Sequence, residues 1–195
     1  MPVVPGARVL DLYAGAGAVG LEALSRGAAL ATFVERDPRA AAAIQQNVDT
    51  LGVRTRARLV RADVARALER LATAGERFDI VFLDPPYESD LVGATLARLG
   101  AGTVTAPSAI VVAQHFTKHP APDVVGTLVR YRTRRFGETT LSFYRDRGER
   151  SGAPPDGPPS GKAGNDCAGG ARARTCERAG DSFAGSDSSD SSPDA

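Results

Sequence analysis

Short apolar runs alternate with alanine-rich stretches over the first 113 residues, and this alternation restricts the possible folds more than any other feature of the chain. Residues 8–13, 30–35, 58–61, 80–83 and 109–113 read as strands. Residues 19–26, 38–51, 64–74 and 90–99 read as the helices between them, the second opening with Pro38 at its first turn and Asp37 as its cap. A strand–helix–strand repeat buries its strands only in a mostly parallel sheet with right-handed crossovers and helices on both faces. The repeat then stops. Residues 127–135 and 139–145 are strand-like and are joined by Phe136, Gly137 and Glu138 with no helix between, which predicts an antiparallel hairpin at the end of a seven-stranded sheet.

Composition divides the chain at residue 147. Of its 195 residues, 42 % are hydrophobic, enough for one packed domain. Residues 148–195 are rich in Gly, Ser, Pro, Ala and Asp with almost no large apolar side chains, so disorder is expected there. The first 147 residues hold nineteen Lys/Arg against fifteen Asp/Glu, a net of +4 that suits a polyanionic partner without requiring one. Cys167 and Cys176 lie nine apart in the tail with no histidine near them and read as incidental thiols, and no metal site is expected. The start, MPVVPG, has no signal-peptide character, and no apolar run approaches the roughly 20 residues of a membrane span, so a cytoplasmic protein is expected.

The first strand runs into DLYAGAGAVG, which sets Gly15, Gly17 and Gly20 in a G-x-G-x-x-G arrangement before a helix. Alone, that pattern is a nucleotide fingerprint of low specificity. The acids around it say more. Asp11 lies inside the strand, four residues ahead of Gly15, where a carboxylate suits a positively charged amino-acid moiety and repels a pyrophosphate. Glu35 closes the second strand 20 residues after Gly15, at the position of a ribose-binding acid; a solvated strand end is the alternative. Asp63 follows the third strand, either as an acceptor for an adenine amine or as a helix cap. Together they point to S-adenosyl-L-methionine rather than NAD.

The fourth strand ends FDIVFLDPPY, residues 78–87, and two prolines forbid further ladder pairing. Asp84 therefore stands at a carboxyl edge, where open α/β sheets bind ligands. An exocyclic base amine is a poor nucleophile because its lone pair is delocalised into the ring. Hydrogen bonds from that amine to Asp84 and to the Pro85 carbonyl aim the lone pair at a methyl group, Pro85 and Pro86 hold the carbonyl rigidly, and Tyr87 offers a stacking face. The competing reading of these four residues is an ordinary turn.

VLDLYAGAGAVGLEALSRGA, FVERD and FDIVFLDPPY, with the closing GETTLSFYRD, resemble the RsmD family of class I methyltransferases, over residues 9–147. The resemblance implies a Rossmann-like α/β fold, S-adenosylmethionine as methyl donor, and methylation of N2 of a guanine in 16S rRNA of the small ribosomal subunit or its assembly intermediate; a monomer is expected. It implies that Asp11, Tyr13, Ala14, Gly15, Gly17, Glu35, Arg36, Asp63 and Val64 hold the donor, and that Asp84, Pro85, Pro86 and Tyr87 hold the guanine. Ala16 stands where serine is common in the family. Only seven residues precede Arg8, where the family carries a glycine- and arginine-rich hairpin and an Arg-Pro-Thr element, so an N-terminally shortened member is expected.

Three other readings compete. An adenine N6 methyltransferase also uses a D-P-P-Y element, but no target-recognition domain is evident. An NAD-dependent oxidoreductase needs a catalytic His or Tyr–Lys pair, and His115 and His119 read as loop residues. A non-catalytic RNA-binding relic would use the basic run of residues 130–135, for which a solvated hairpin face is the alternative.

Overall fold

The computed structural model describes residues 3–86 and 91–146. The expectations for Tyr87 and for the tail from residue 148 lie outside the described residues. Among the described residues eight strands form one sheet: β1 (Arg8–Leu12), β2 (Leu30–Glu35), β3 (Ala57–Arg61), β4 (Phe78–Leu83), β5 (Thr105–Phe116), β6 (Val124–Val125), β7 (Leu128–Phe136) and β8 (Thr139–Asp146). Four helices connect the first five: α1 (Ala18–Ser25), α2 (Pro38–Thr50), α3 (Val64–Thr73) and α4 (Leu91–Leu99). The order is β3-β2-β1-β4-β5-β8-β7-β6, parallel from β3 to β5 and antiparallel beyond.

Alternate residues of the parallel strands feed two cores. Val9, Ala31 and Phe33 pack with Leu24, Ile44 and Val48 on the side of α1 and α2. Leu10, Leu12, Val34, Val81 and Leu83 pack with Leu68, Leu71, Leu96 and Leu99 on the side of α3 and α4. This two-sided burial is why the strands read as continuous apolar runs. At the amino edge, Arg8 donates its backbone N–H to Asp79 at 2.8 Å, and Glu76 pairs with both Arg8 and Arg58. Asp37 caps α2 by accepting from Arg39 and Ala40. Among the described residues no helix is long and apolar enough to cross a membrane.

The structure corrects the sequence reading in three places. The sheet has eight strands rather than seven, because residues 124–125 form a two-residue strand, too short to show a period. The fifth strand is twelve residues long rather than five. Its first part contains Pro107 and Ser108 (φ 62°), which break the apolar signal, and its end includes His115. His115 is therefore a buried strand residue rather than a loop residue, hydrogen-bonded at 2.9 Å to the Ser142 hydroxyl.

Candidate active site

Tyr13 leaves β1 with φ 61°, an unusual conformation for a bulky side chain, and this turns the chain sharply into the glycine loop. Its hydroxyl shares a 2.8 Å hydrogen bond with Thr95 of α4. The loop is tied to its neighbours through its own backbone: Ala14 N–H donates to the Val34 carbonyl at 3.1 Å, and the Ala16 carbonyl accepts from the Asn47 amide at 3.0 Å.

The acids do structural work that residue spacing alone does not reveal. Glu35 accepts from the N–H of Gly15 through Oε2 and from that of Asp37 through Oε1, both at 2.8 Å, so one carboxylate joins the glycine loop to the start of α2. Asp11 is buried and accepts from Gly20 N–H at 2.9 Å, which anchors the first turn of α1. Burial lifts its carboxyl to about 7, against the pull of that N–H, and the charges of Asp84 and Glu35 add to the rise. Asp63 caps α3 by accepting from Ala65 N–H at 2.9 Å and also lines the cavity described next, so its two readings are compatible.

A cavity of about 270 Å³ opens at the carboxyl edge. Among the described residues its walls are Tyr13, Val34, Glu35, Arg36, Ala62, Asp63, Val64, Asp84, Pro85, Pro86 and Leu91. The site residues from the first three strands and from the D-P-P element thus meet at one opening. Ala14, Gly15 and Gly17 stand behind it as the loop that Glu35 holds, and Asp11 lies beneath that loop rather than on the cavity wall.

Asp84 is half-buried, and burial raises its carboxyl above the usual carboxylate range while a hydrogen bond from Gln114 opposes the rise. The Gln114 amide donates to Oδ2 at 3.0 Å from the end of β5. Sequence reasoning missed Gln114, since a neutral amide at the end of an apolar strand carries no signal until its partner across the sheet is known. Among the described residues, no group of three or more His, Cys, Asp or Glu is arranged to hold a metal.

A mostly parallel sheet that ends in an antiparallel hairpin, with acids and a glycine loop at its carboxyl edge, defines a class I methyltransferase. The profile of the family described as conserved hypothetical protein 95 matches residues 1–145, and the chain belongs to that family, the RsmD family of the sequence resemblance. The chain is 37 % identical over 147 residues to YlbH of Bacillus subtilis, covering 75 % of this chain and 80 % of that protein. It is 33 % identical over 144 residues to ribosomal RNA small subunit methyltransferase D of Escherichia coli, covering 74 % and 71 %. A solved conserved hypothetical protein of Streptococcus pyogenes superposes with a TM-score of 0.67 at 34 % identity, over 73 % of this chain and 87 % of that one.

Proposed function

We propose that the protein methylates the exocyclic N2 amine of a guanine in small-subunit ribosomal RNA, in the cytoplasm, with S-adenosylmethionine as donor. The single observation that carries this reading is Asp84: a half-buried carboxylate at the end of a central strand, fixed by Gln114 and opening into the same cavity as Glu35 and Asp63. The family membership and the small-subunit rRNA methyltransferase relative support the substrate class.

The residues present fit the donor. Val34, Val64 and Leu91 give the cavity apolar wall for a purine, and the carboxylates of Glu35 and Asp63 supply acceptors for ribose hydroxyls and an exocyclic amine. When bound, S-adenosylmethionine supplies an electrophilic methyl group on a sulfonium whose C–S bond breaks with its electrons passing to sulfur. With Oδ2 held by Gln114, Oδ1 of Asp84 accepts one hydrogen of the guanine amine and the Pro85 carbonyl accepts the other. That arrangement turns the nitrogen lone pair toward the methyl carbon, and the surplus proton leaves the nitrogen after transfer. The rate gain comes from position and charge, so no strong base is needed.

The test is methyl transfer from labelled donor to small-subunit particles lacking the modification, followed by nucleoside analysis. N2-methylguanosine is expected, and label in N6-methyladenosine would overturn the guanine assignment. Asp84→Ala is expected to lower the rate by on the order of 10² to 10³ while S-adenosylhomocysteine binds as before. Because the carboxylate form of Asp84 accepts the amine hydrogen more strongly than the protonated acid, and burial raises its pKa, the rate is expected to fall on the acid side at a higher pH than for an ordinary aspartate.

A further inference from the structure

The antiparallel end of the sheet carries charge of the opposite sign. Four arginines and a single acid, Glu138, fall between Leu128 and Phe143. The structure divides the arginines by role. Arg130 is committed inward: it pairs with Asp123 and donates to the Ala121 carbonyl at 2.8 Å. Arg135 donates to the Gly137 carbonyl at 3.2 Å. Arg132 and Arg134 are exposed, and among the described residues no acidic side chain lies within ion-pairing distance of either.

Register places these two arginines relative to Asp84. Leu83 pairs with Ala113, so Asp84 and Gln114 come next in the row; Gln114 pairs with Leu141, and Leu141 pairs with Arg134. Directly paired residues share a face of the sheet, so Arg134 lies on the face of Gln114 and Asp84, about 14 Å from Asp84 at the usual strand spacing. The register slips between Arg130 and Arg132, a bulge that gives Tyr131 no partner of its own and sets it beside the Phe143 ring, with the two centroids 6.4 Å apart. Tyr131 is 44 % exposed and Phe136, at the carboxyl edge, 63 % exposed. The Arg145 guanidinium covers one face of Tyr131, 4.7 Å from its centroid, so Phe136 is the open aromatic face; free guanidinium groups beside an exposed aromatic ring are the two components of a surface that binds single-stranded nucleic acid.

We propose that β7 from Arg132 to Phe136 is the docking surface for the RNA strand that carries the target base, with Arg132 and Arg134 on its phosphates and Phe136 against a flanking base. This deepens the rRNA reading above and rests on it. The strand would run from β7 across the ends of β8 and β5, delivering its extruded base to Asp84. None of these residues touches the reacting atoms, so the surface governs binding rather than the chemical step.

The experiment measures binding of the whole chain to deproteinised 16S rRNA and to a mixed-sequence oligoribonucleotide by fluorescence anisotropy across a salt series, alongside transfer kinetics on small-subunit particles. Arg132→Ala with Arg134→Ala is expected to weaken binding about tenfold near 0.1 M salt. It should also reduce the slope of log K against log salt by about 1.4, at about 0.7 for each single-strand phosphate contact. KM for the particle rises while kcat, S-adenosylhomocysteine affinity and the melting temperature stay put. Lysine at both positions retains the slope. Phe136→Ala weakens binding and leaves the slope alone. Unchanged affinity and slope in the double alanine variant, with wild-type RNA binding intact, would overturn the surface and spare the rRNA reading; a wild-type chain that binds no RNA would overturn both.

Discussion

The two halves of the sheet end at one edge with opposite charge. In the parallel half, β3-β2-β1-β4, helices cover both faces, so acidic side chains collect near strand ends: Glu35, Asp63 and Asp84 line the cavity, and Asp11 lies beneath the glycine loop. In the antiparallel half, β7 is exposed from Tyr131 onward and carries cations along its length. Acids around a cavity suit a small cationic donor, and an open cationic strand suits a polyanion. The contrast shows how burial distributes charge along one sheet: the strand that is buried on both sides keeps its charges at its tip, and the strand near the edge displays them.

The largest expected effect sits in the parallel half. Asp11 ionises near 4 in the unfolded chain and near 7 when folded. Between those values the folded protein holds a proton that the unfolded chain has lost, so this group favours the fold most below about pH 4 and loses that advantage as pH rises to 7. The full swing is up to about 4 kcal/mol. Asp11→Asn keeps an acceptor for Gly20 and removes the titration. Urea midpoints over a pH series should therefore converge at low pH and favour the Asn variant above pH 7, while parallel curves would mean that Asp11 is not buried as a charge.

Next come two glycines, one from each half. A Cβ on Gly20 would lie 2.8 Å from Cζ of Phe33, a ring with no exposed surface, so Gly20→Ala should cost about 2 to 3 kcal/mol by overpacking. Gly137 has φ 59° in the turn between β7 and β8, with open space where a Cβ would stand, so Gly137→Ala should cost only about 1 to 2 kcal/mol of backbone strain. Denaturation of the two variants measures a tight core against a loose turn, and equal costs would erase that difference.

The smallest effect tests the joint between the halves. Gln114 belongs to β5 but serves Asp84 of β4. Gln114→Leu should lower the transfer rate about tenfold, since a lost hydrogen bond to a charged group is worth roughly 1.5 kcal/mol. Donor affinity should not change. Gln114→Glu would set a second carboxylate against Asp84 and move the acid limb of the rate profile further up in pH, a displacement that a purely structural contact would not produce.

The parallel half was largely legible in the sequence. Buried strands read as apolar runs, and Gly15, Pro85 and Pro86 mark where those runs stop, so Glu35, Asp63 and Asp84 could be placed at a common edge. What they bond to could not be read. The Gly15 N–H that Glu35 accepts is 20 residues away, and the Gln114 amide that holds Asp84 is 30 residues away. The antiparallel half was less legible. Pro107 and Ser108 hid the start of β5, and the two residues of β6 are too few for any period. Among the arginines of β7, alternation alone could not separate the committed Arg130 from the free Arg132, because the bulge at Tyr131 resets the register between them.

The place of β8 between β5 and β7 also governs when the molecule can be completed. The strand that pairs with residues 110–116 of β5 lies at residues 139–146, later in the chain than β7, which it separates from β5. During synthesis β5 can pair with β4 while its other edge has no partner until β8 leaves the ribosome. For that interval the nascent protein carries an open row of backbone donors and acceptors beside an apolar strand, the condition under which chains associate wrongly. Slowed translation across residues 117–138 would lengthen the exposure, so the hairpin that ends the sheet also sets the period during which the growing chain is most exposed to aggregation.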